Sequence, residues 1–312
     1  MVTRRILHYN AQRSECRHRR IPVMNKDELT ELAGNPNFIS GIHNYCDRWC
    51  ERCQFTSKCV VYAIEQADPD IDDQTRDITN EKFWRKMHEI FQVTAEMISD
   101  WTAENGVDLD SIDCEEAIAE HDREVEEAER DELSQAAHAY ADSVEDWFKN
   151  EFTKETLIHD DTNGASEPAV DEITVADAIK VIRWYQFFIA VKTFRAISGS
   201  KSFSGREVED EVLSFDCFSD EAGDDEDVDY DAVLERSAKM DSHGSAKVAL
   251  VAIARSTAAW RSLQISLPEK SDTIQPFLVE LDQLRRSLEA RFPRVHEFIR
   301  PGFDELISEF VS

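Results

Sequence analysis

The chain has 312 residues, of which 35 are Lys or Arg and 65 are Asp or Glu, so its formal net charge is −30. With 41% apolar residues it can bury a real core, which excludes a wholly disordered chain. Only 9 Gly and 8 Pro are present, too few turn-formers for an all-β protein of many short strands or a glycine-rich nucleotide fold. The excess of acid disfavours nucleic acid and anionic lipid as partners of the main domain.

Charge is uneven along the chain. Residues 1–26 carry Arg4, Arg5, Arg13, Arg17, Arg19, Arg20 and Lys26 against Glu15 alone, which reads as a basic, disordered tail covering 1–36. Ile6–Tyr9 followed by further Arg does not make a signal-peptide core. The longest apolar stretch, Trp184 to Val191, is interrupted by Gln186 and falls far short of the roughly 20 residues a membrane span needs. The expectation is a cytoplasmic protein with no membrane association.

After a cysteine-rich segment at 37–66, the pattern over 67–312 is helical. Asn80 is a candidate N-cap, followed by Phe83, Met87, Ile90, Thr94, Met97 and Trp101 at helical spacing, and Asn105-Gly106 supplies the stop. From Cys114 to Phe152 one rod or two helices are expected, with Ile118, Val125, Leu133, Ala137, Tyr140, Val144 and Trp147 on one stripe. Residues 154–172 read as a polar loop. Thr174 to Ile197 is apolar on every side, as a central bundle helix would be, and Ser198-Gly199-Ser200 is its expected stop. An acidic connection near 199–240 follows; 13 of residues 206–231 are acids. Its alternating Asp225, Asp227, Asp229 and Asp231 lack an EF-hand's glycine, and Arg236 stands where the terminal glutamate would be. The chain is expected to restart at Asp241-Ser242-His243-Gly244-Ser245 and continue as a small-residue helix from Ala246 to about Leu263, with another helix near Ile274–Arg291 and a short one near Phe303–Phe310. The fold class is therefore all-α, a bundle of five to seven helices with an N-terminal cysteine-rich metal-binding knuckle.

Cys46, Cys50, Cys53 and Cys59 fall within fourteen residues, while Cys16, Cys114 and Cys217 stand alone. Such a cluster in a cytosolic chain points to metal or redox chemistry rather than structural disulfides. Four thiolates in so short a loop can wrap one compact cluster, and structural zinc is the alternative. Arg48, Arg52 and Lys58 can offset thiolate charge, and Trp49 and Phe55 can exclude water. Cys46-x3-Cys50-x2-Cys53 resembles the cluster-holding triplet of radical S-adenosylmethionine enzymes, and Cys50-x2-Cys53-x5-Cys59 resembles the auxiliary-cluster cysteines of some of them. These resemblances cover about a dozen residues each; no strand–helix alternation or glycine-rich segment follows, so they imply a [4Fe-4S] cluster and not the radical chemistry. The whole string is also similar to uncharacterised bacterial helical proteins with such a segment.

Only His18 lies three residues after a Glu, Glu15, and a di-iron bundle site needs two such pairs on separate helices, so one is not indicated. Glu116, Glu120 and Glu124 beside His121 read as a solvated face. Arg183, Lys192 and Arg195 interrupt the most apolar helix and need carboxylates or an anionic ligand. Ser242, Ser245 and Lys247, at an expected helix start, could add to an anion site. No catalytic group can be assigned from spacing. Three readings stand: an iron–sulfur protein for electron transfer or redox sensing with a redox partner protein; a zinc-stabilised scaffold whose acidic surface docks a basic protein; and a metalloenzyme acting on an anionic ligand.

Overall fold

The computed structural model describes residues 26–67, 72–108, 114–151, 174–201 and 230–304, and every regular element among them is helical. No helix among these residues is long and apolar enough to cross a membrane. The described residues form two units, one within 26–35 and 60–108, the other within 36–59 and 114–304. The division therefore falls after Cys59, inside the expected 37–66 segment, and separates α4 from the remaining long helices.

The first unit contains α1 (Lys26–Ala33), α2 (Val60–Ala67), α3 (Asp73–Arg76) and α4 (Glu81–Asn105). Helix α1 thus occupies part of the segment expected to be disordered; residues 1–25 lie outside the described ones. At α3, Asp72 and Thr75 form a reciprocal capping box. Helix α4 begins and ends where its sequence signals lie. The Asn80 side chain accepts from the Lys82 N–H at 3.0 Å, and Gly106 takes the left-handed conformation at φ 66°. Of its expected apolar stripe, Phe83 and Met87 are half-buried, whereas Ile90, Met97 and Trp101 are exposed.

The second unit holds α5 (Glu115–Arg130), α6 (Glu132–Glu151), α7 (Val175–Lys201), α8 (Tyr230–Ser266) and α9 (Ser271–Arg291). The long acidic stretch is two helices, broken at the extended Asp131. Helices α7 and α8 run antiparallel and make the most extensive pairing in the unit. Its rungs are Gly199 with Ser242, Arg195 with Asp241 and Tyr185 with Arg255. A Cβ at Gly199 would stand 3.1 Å from Ser242 Cβ, so the small pair lets the helices approach closely. Alongside them α6 buries Ala137, Tyr140, Val144, Trp147 and Phe148, and α9 buries Ile274, Phe277, Leu281, Leu284 and Leu288 at alternating spacings of three and four. The rings of Trp147, Phe148, Trp260 and Phe277 meet in the core, with Trp260 stacked on Phe277 at 4.5 Å. The Tyr140 hydroxyl accepts from Trp260 Nε1 at 3.0 Å and pairs with Ser256 Oγ at 3.0 Å, so the buried polar atoms are satisfied.

Four expectations are corrected. The described residues alone hold more α-helices than the five to seven expected. Ser198-Gly199-Ser200 does not stop α7, which continues to Lys201. Helix α8 starts at Tyr230 and passes through residues 241–246 unbroken. Helix α7 is not enclosed all round, since Trp184, Phe187 and Val191 on one flank are exposed. Both local misreadings share a cause: Gly and Ser in these helices serve close packing rather than termination. The polar loop at 154–172, most of the acidic connection and the helix expected at 303–310 lie largely outside the described residues.

Candidate metal centre

Residues 36–59, the main part of the segment expected to be the knuckle, belong to the second unit. They contain two short 3-10 turns, Cys50–Arg52 and Thr56–Lys58. The Cys53 N–H donates to the Cys50 carbonyl at 3.2 Å, the Cys59 N–H to Thr56 at 3.3 Å, and the Ile39 N–H to Lys58 at 3.0 Å, which ties the two ends together. Between Cys46 and Cys50 the chain reverses through Arg48, whose φ of 58° lies in the left-handed region. A non-glycine residue there costs on the order of 1–2 kcal/mol, so surrounding contacts must hold the turn.

Those contacts centre on Asp47. Its Oδ1 accepts the Trp49 N–H at 3.2 Å, and its Oδ2 accepts the Tyr185 hydroxyl at 2.6 Å and forms an ion pair with Arg255 Nη1. The same guanidinium donates to the Tyr185 oxygen at 2.7 Å. Burial, and the Asp47 carboxylate that accepts its proton, hold the Tyr185 phenol well above its ordinary pKa, so it stays a donor. The Asp47 carbonyl accepts Trp184 Nε1 at 3.0 Å.

Aromatic contacts finish the docking. Trp49 stacks on Trp184 at 4.9 Å with 17° between planes, and Arg52 lies 4.1 Å over the Trp49 ring while pairing with Asp177 at 2.8 Å. Phe55 meets Phe303 edge-on at 4.9 Å, and Tyr45 meets Phe298 in the same way. Lys192 Nζ donates to the Asn44 carbonyl at 3.3 Å, and burial lowers its pKa.

All four knuckle cysteines are half-buried, and no disulfide joins them. Cys46 Sγ donates to the His43 carbonyl at 3.5 Å, and burial pushes the thiol up. Cys53 Sγ accepts the Phe55 N–H at 3.4 Å. Among the described residues, no three His, Cys, Asp or Glu side chains converge on a point able to hold a metal ion. The donor set suits a thiolate-bound metal; loading one would require the sulfurs to draw together from the positions they hold here.

The residues considered for an anion site have other engagements. Arg183 lies 3.8 Å from Glu145 and 4.5 Å over the Phe148 ring. Arg195 makes a two-point pair with Asp241 at 2.6 and 2.7 Å. Ser242 Oγ donates to the Ala196 carbonyl at 2.6 Å, and Lys247 Nζ to the His296 carbonyl at 3.1 Å. Ser245 Oγ is buried without a hydrogen-bond partner among the described residues. Because α8 is continuous there, Ser242 and Ser245 offer no free helix-start amides, which removes the basis of that expected anion site.

Sequence reasoning missed Asp47, Tyr185 and Arg255. The only local signal was an acid directly beside a candidate ligand, since its partners lie 138 and 208 positions away. Comparison of the chain with protein-family models, curated proteins and solved structures finds no match.

Proposed function

We propose that the knuckle is a thiolate metal centre in which Cys46, Cys50, Cys53 and Cys59 hold a [4Fe-4S] cluster, and that the protein works in electron transfer or redox sensing. The observation that carries this reading is the gathering of four half-buried thiols on one segment fastened to a helical scaffold. The Phe55 N–H directed at Cys53 Sγ supports it, because N–H donors to cysteine sulfur stabilise thiolate character. Arg48, Arg52 and Lys58 supply positive charge within the segment. A redox partner protein would complete the function.

A second reading is favoured by the density of the anchoring. Asp47, Trp49, Phe55 and Tyr45 all fasten the knuckle, as suits a zinc-stapled structural element in a scaffold that docks a basic partner. Anaerobic purification with metal analysis and an absorption spectrum separates the two. The iron–sulfur reading expects about four irons per chain and absorption near ~400 nm, both lost in Cys50→Ser. One zinc and no colour moves the protein to the scaffold class, and metal-free protein sinks both.

A further inference from the structure

Beside the knuckle lies an open cavity of about 430 Å³, which shares Cys53 with the proposed metal centre. The knuckle supplies Trp49, Arg52 and Cys53, helix α7 supplies Tyr185, helix α8 supplies Arg255, and Phe303 closes one side. Its size falls within the range of small-molecule sites, and its walls follow their pattern of apolar surface with a few converging polar groups.

Electrostatics select the ligand. Two guanidinium groups line the cavity against one carboxylate, Asp47, because Asp177, the partner of Arg52, is not part of the lining. The lining thus holds two cations to one anion in a protein of net charge −30. A guanidinium has five N–H donors. Arg255 commits only Nη1, to Asp47 and Tyr185, and Arg52 only Nη2, to Asp177. The remaining donors of both carry no hydrogen bond among the described residues. Arg52 also covers a face of Trp49 whose ring already stacks on Trp184, so Phe303, Val181 and the small residues Ala258 and Ala259 supply the apolar wall. The cleft of about 640 Å³ differs, lined by Asp131, Glu132 and Glu280 with Arg291 facing Asp131 at 3.8 Å; the one of about 670 Å³ also sets two guanidiniums, Arg261 and Arg286, against one carboxylate, Asp282, but has no aromatic side chain in its wall.

We infer that this cavity binds a small organic anion, its carboxylate or phosphate group meeting Arg52 and Arg255 and its flat apolar body lying against Phe303 and Ala258, next to Cys53. The inference goes beyond the metal-centre reading and rests on the cavity as this structure shows it.

Calorimetric titration of the full chain with 1-naphthoate, 1-naphthyl phosphate and the uncharged 1-naphthalenemethanol tests it. The expected result is one site per chain for at least one of the anions, at least tenfold tighter than for the alcohol; the tighter anion identifies the headgroup. Ala258→Trp, at an exposed position, fills the cavity without removing a charge and should weaken binding more than tenfold. Arg52→Gln should narrow the gap between anion and alcohol. Failure of both anions to bind, equal binding of the alcohol, or undiminished binding by Ala258→Trp overturns the inference. Helical content and metal content measured on the same samples keep a folding defect or a failed metal centre distinguishable from a failed cavity.

Discussion

Gly244 shows how one missing methyl group seats the knuckle. A Cβ there would stand 2.1 Å from Tyr45 Cε1 and 2.8 Å from Phe298 Cζ, and Tyr45 is only 4% exposed. Helix propensity alone favours alanine at an interior position by about 1 kcal/mol. Overpacking costs about 1–3 kcal/mol, and the clash falls on ring atoms that Phe298 holds edge-on, so sterics outweigh propensity. Gly244→Ala is expected to destabilise the protein by about 1 kcal/mol in urea titration. Tyr45→Leu should offset part of that loss in the double variant, because it removes the clashing ring. A Gly244→Ala protein more stable than wild type would mean that Tyr45 does not occupy that seat. The same burial pushes the Tyr45 phenol up to about 12, so its ring docks uncharged throughout the neutral range.

At the scale of elements, the knuckle has few backbone hydrogen bonds of its own and is held by side chains of α7 and α8. Removing the Tyr185 hydroxyl deletes a bond to a charged acceptor; full burial would make this about 1.5–3 kcal/mol, and partial exposure reduces it to about 1 kcal/mol. Tyr185→Phe should therefore raise the local opening of the knuckle about fivefold. The readout is faster reaction of the knuckle thiols with a disulfide reagent in the metal-free protein, with helical circular dichroism unchanged. Unchanged thiol rates would show that Asp47 is held without Tyr185. This coupling marks the limit of what the sequence discloses. The ends of α4 were legible because Asn80 and Gly106 act on neighbouring backbone groups, and the buried stripe of α6 was legible because its period is local. The passage of α8 through Gly244, and of α7 through Gly199, was not legible. A glycine that admits Tyr45 or Ser242 looks the same in sequence as one that ends a helix. Asp47, Tyr185 and Arg255 stayed hidden for a related reason: an ion pair across 208 positions has no spacing rule.

Across the whole molecule, a net charge of −30 opposes compaction, while the ion pairs of the second unit are mostly partly exposed and contribute about 0–1 kcal/mol each. Self-repulsion is the larger effect. Raising ionic strength from about 0.01 M to 1 M shortens the screening length from about 30 Å to 3 Å and should raise the melting temperature; a fall would mean that the ion pairs dominate. High salt also isolates two half-buried histidines. Burial lowers the pKa of His43 and His243 below the ordinary 6.5, and nearby cations lower both further. The unfolded chain therefore takes up protons first as pH falls. The stability contributed by keeping these rings neutral is fully present above about pH 6.5 and is lost progressively below it as pH drops through the lowered folded values. His243 lies inside α8, with Nδ1 3.0 Å from the Lys239 carbonyl and its ring edge-on to Phe292, so the neutral ring keeps its bond by carrying its proton on Nδ1. His243→Leu in 1 M salt should flatten the decline in unfolding free energy between about pH 6.5 and 5. A slope identical to wild type would place the acid sensitivity in groups other than His243.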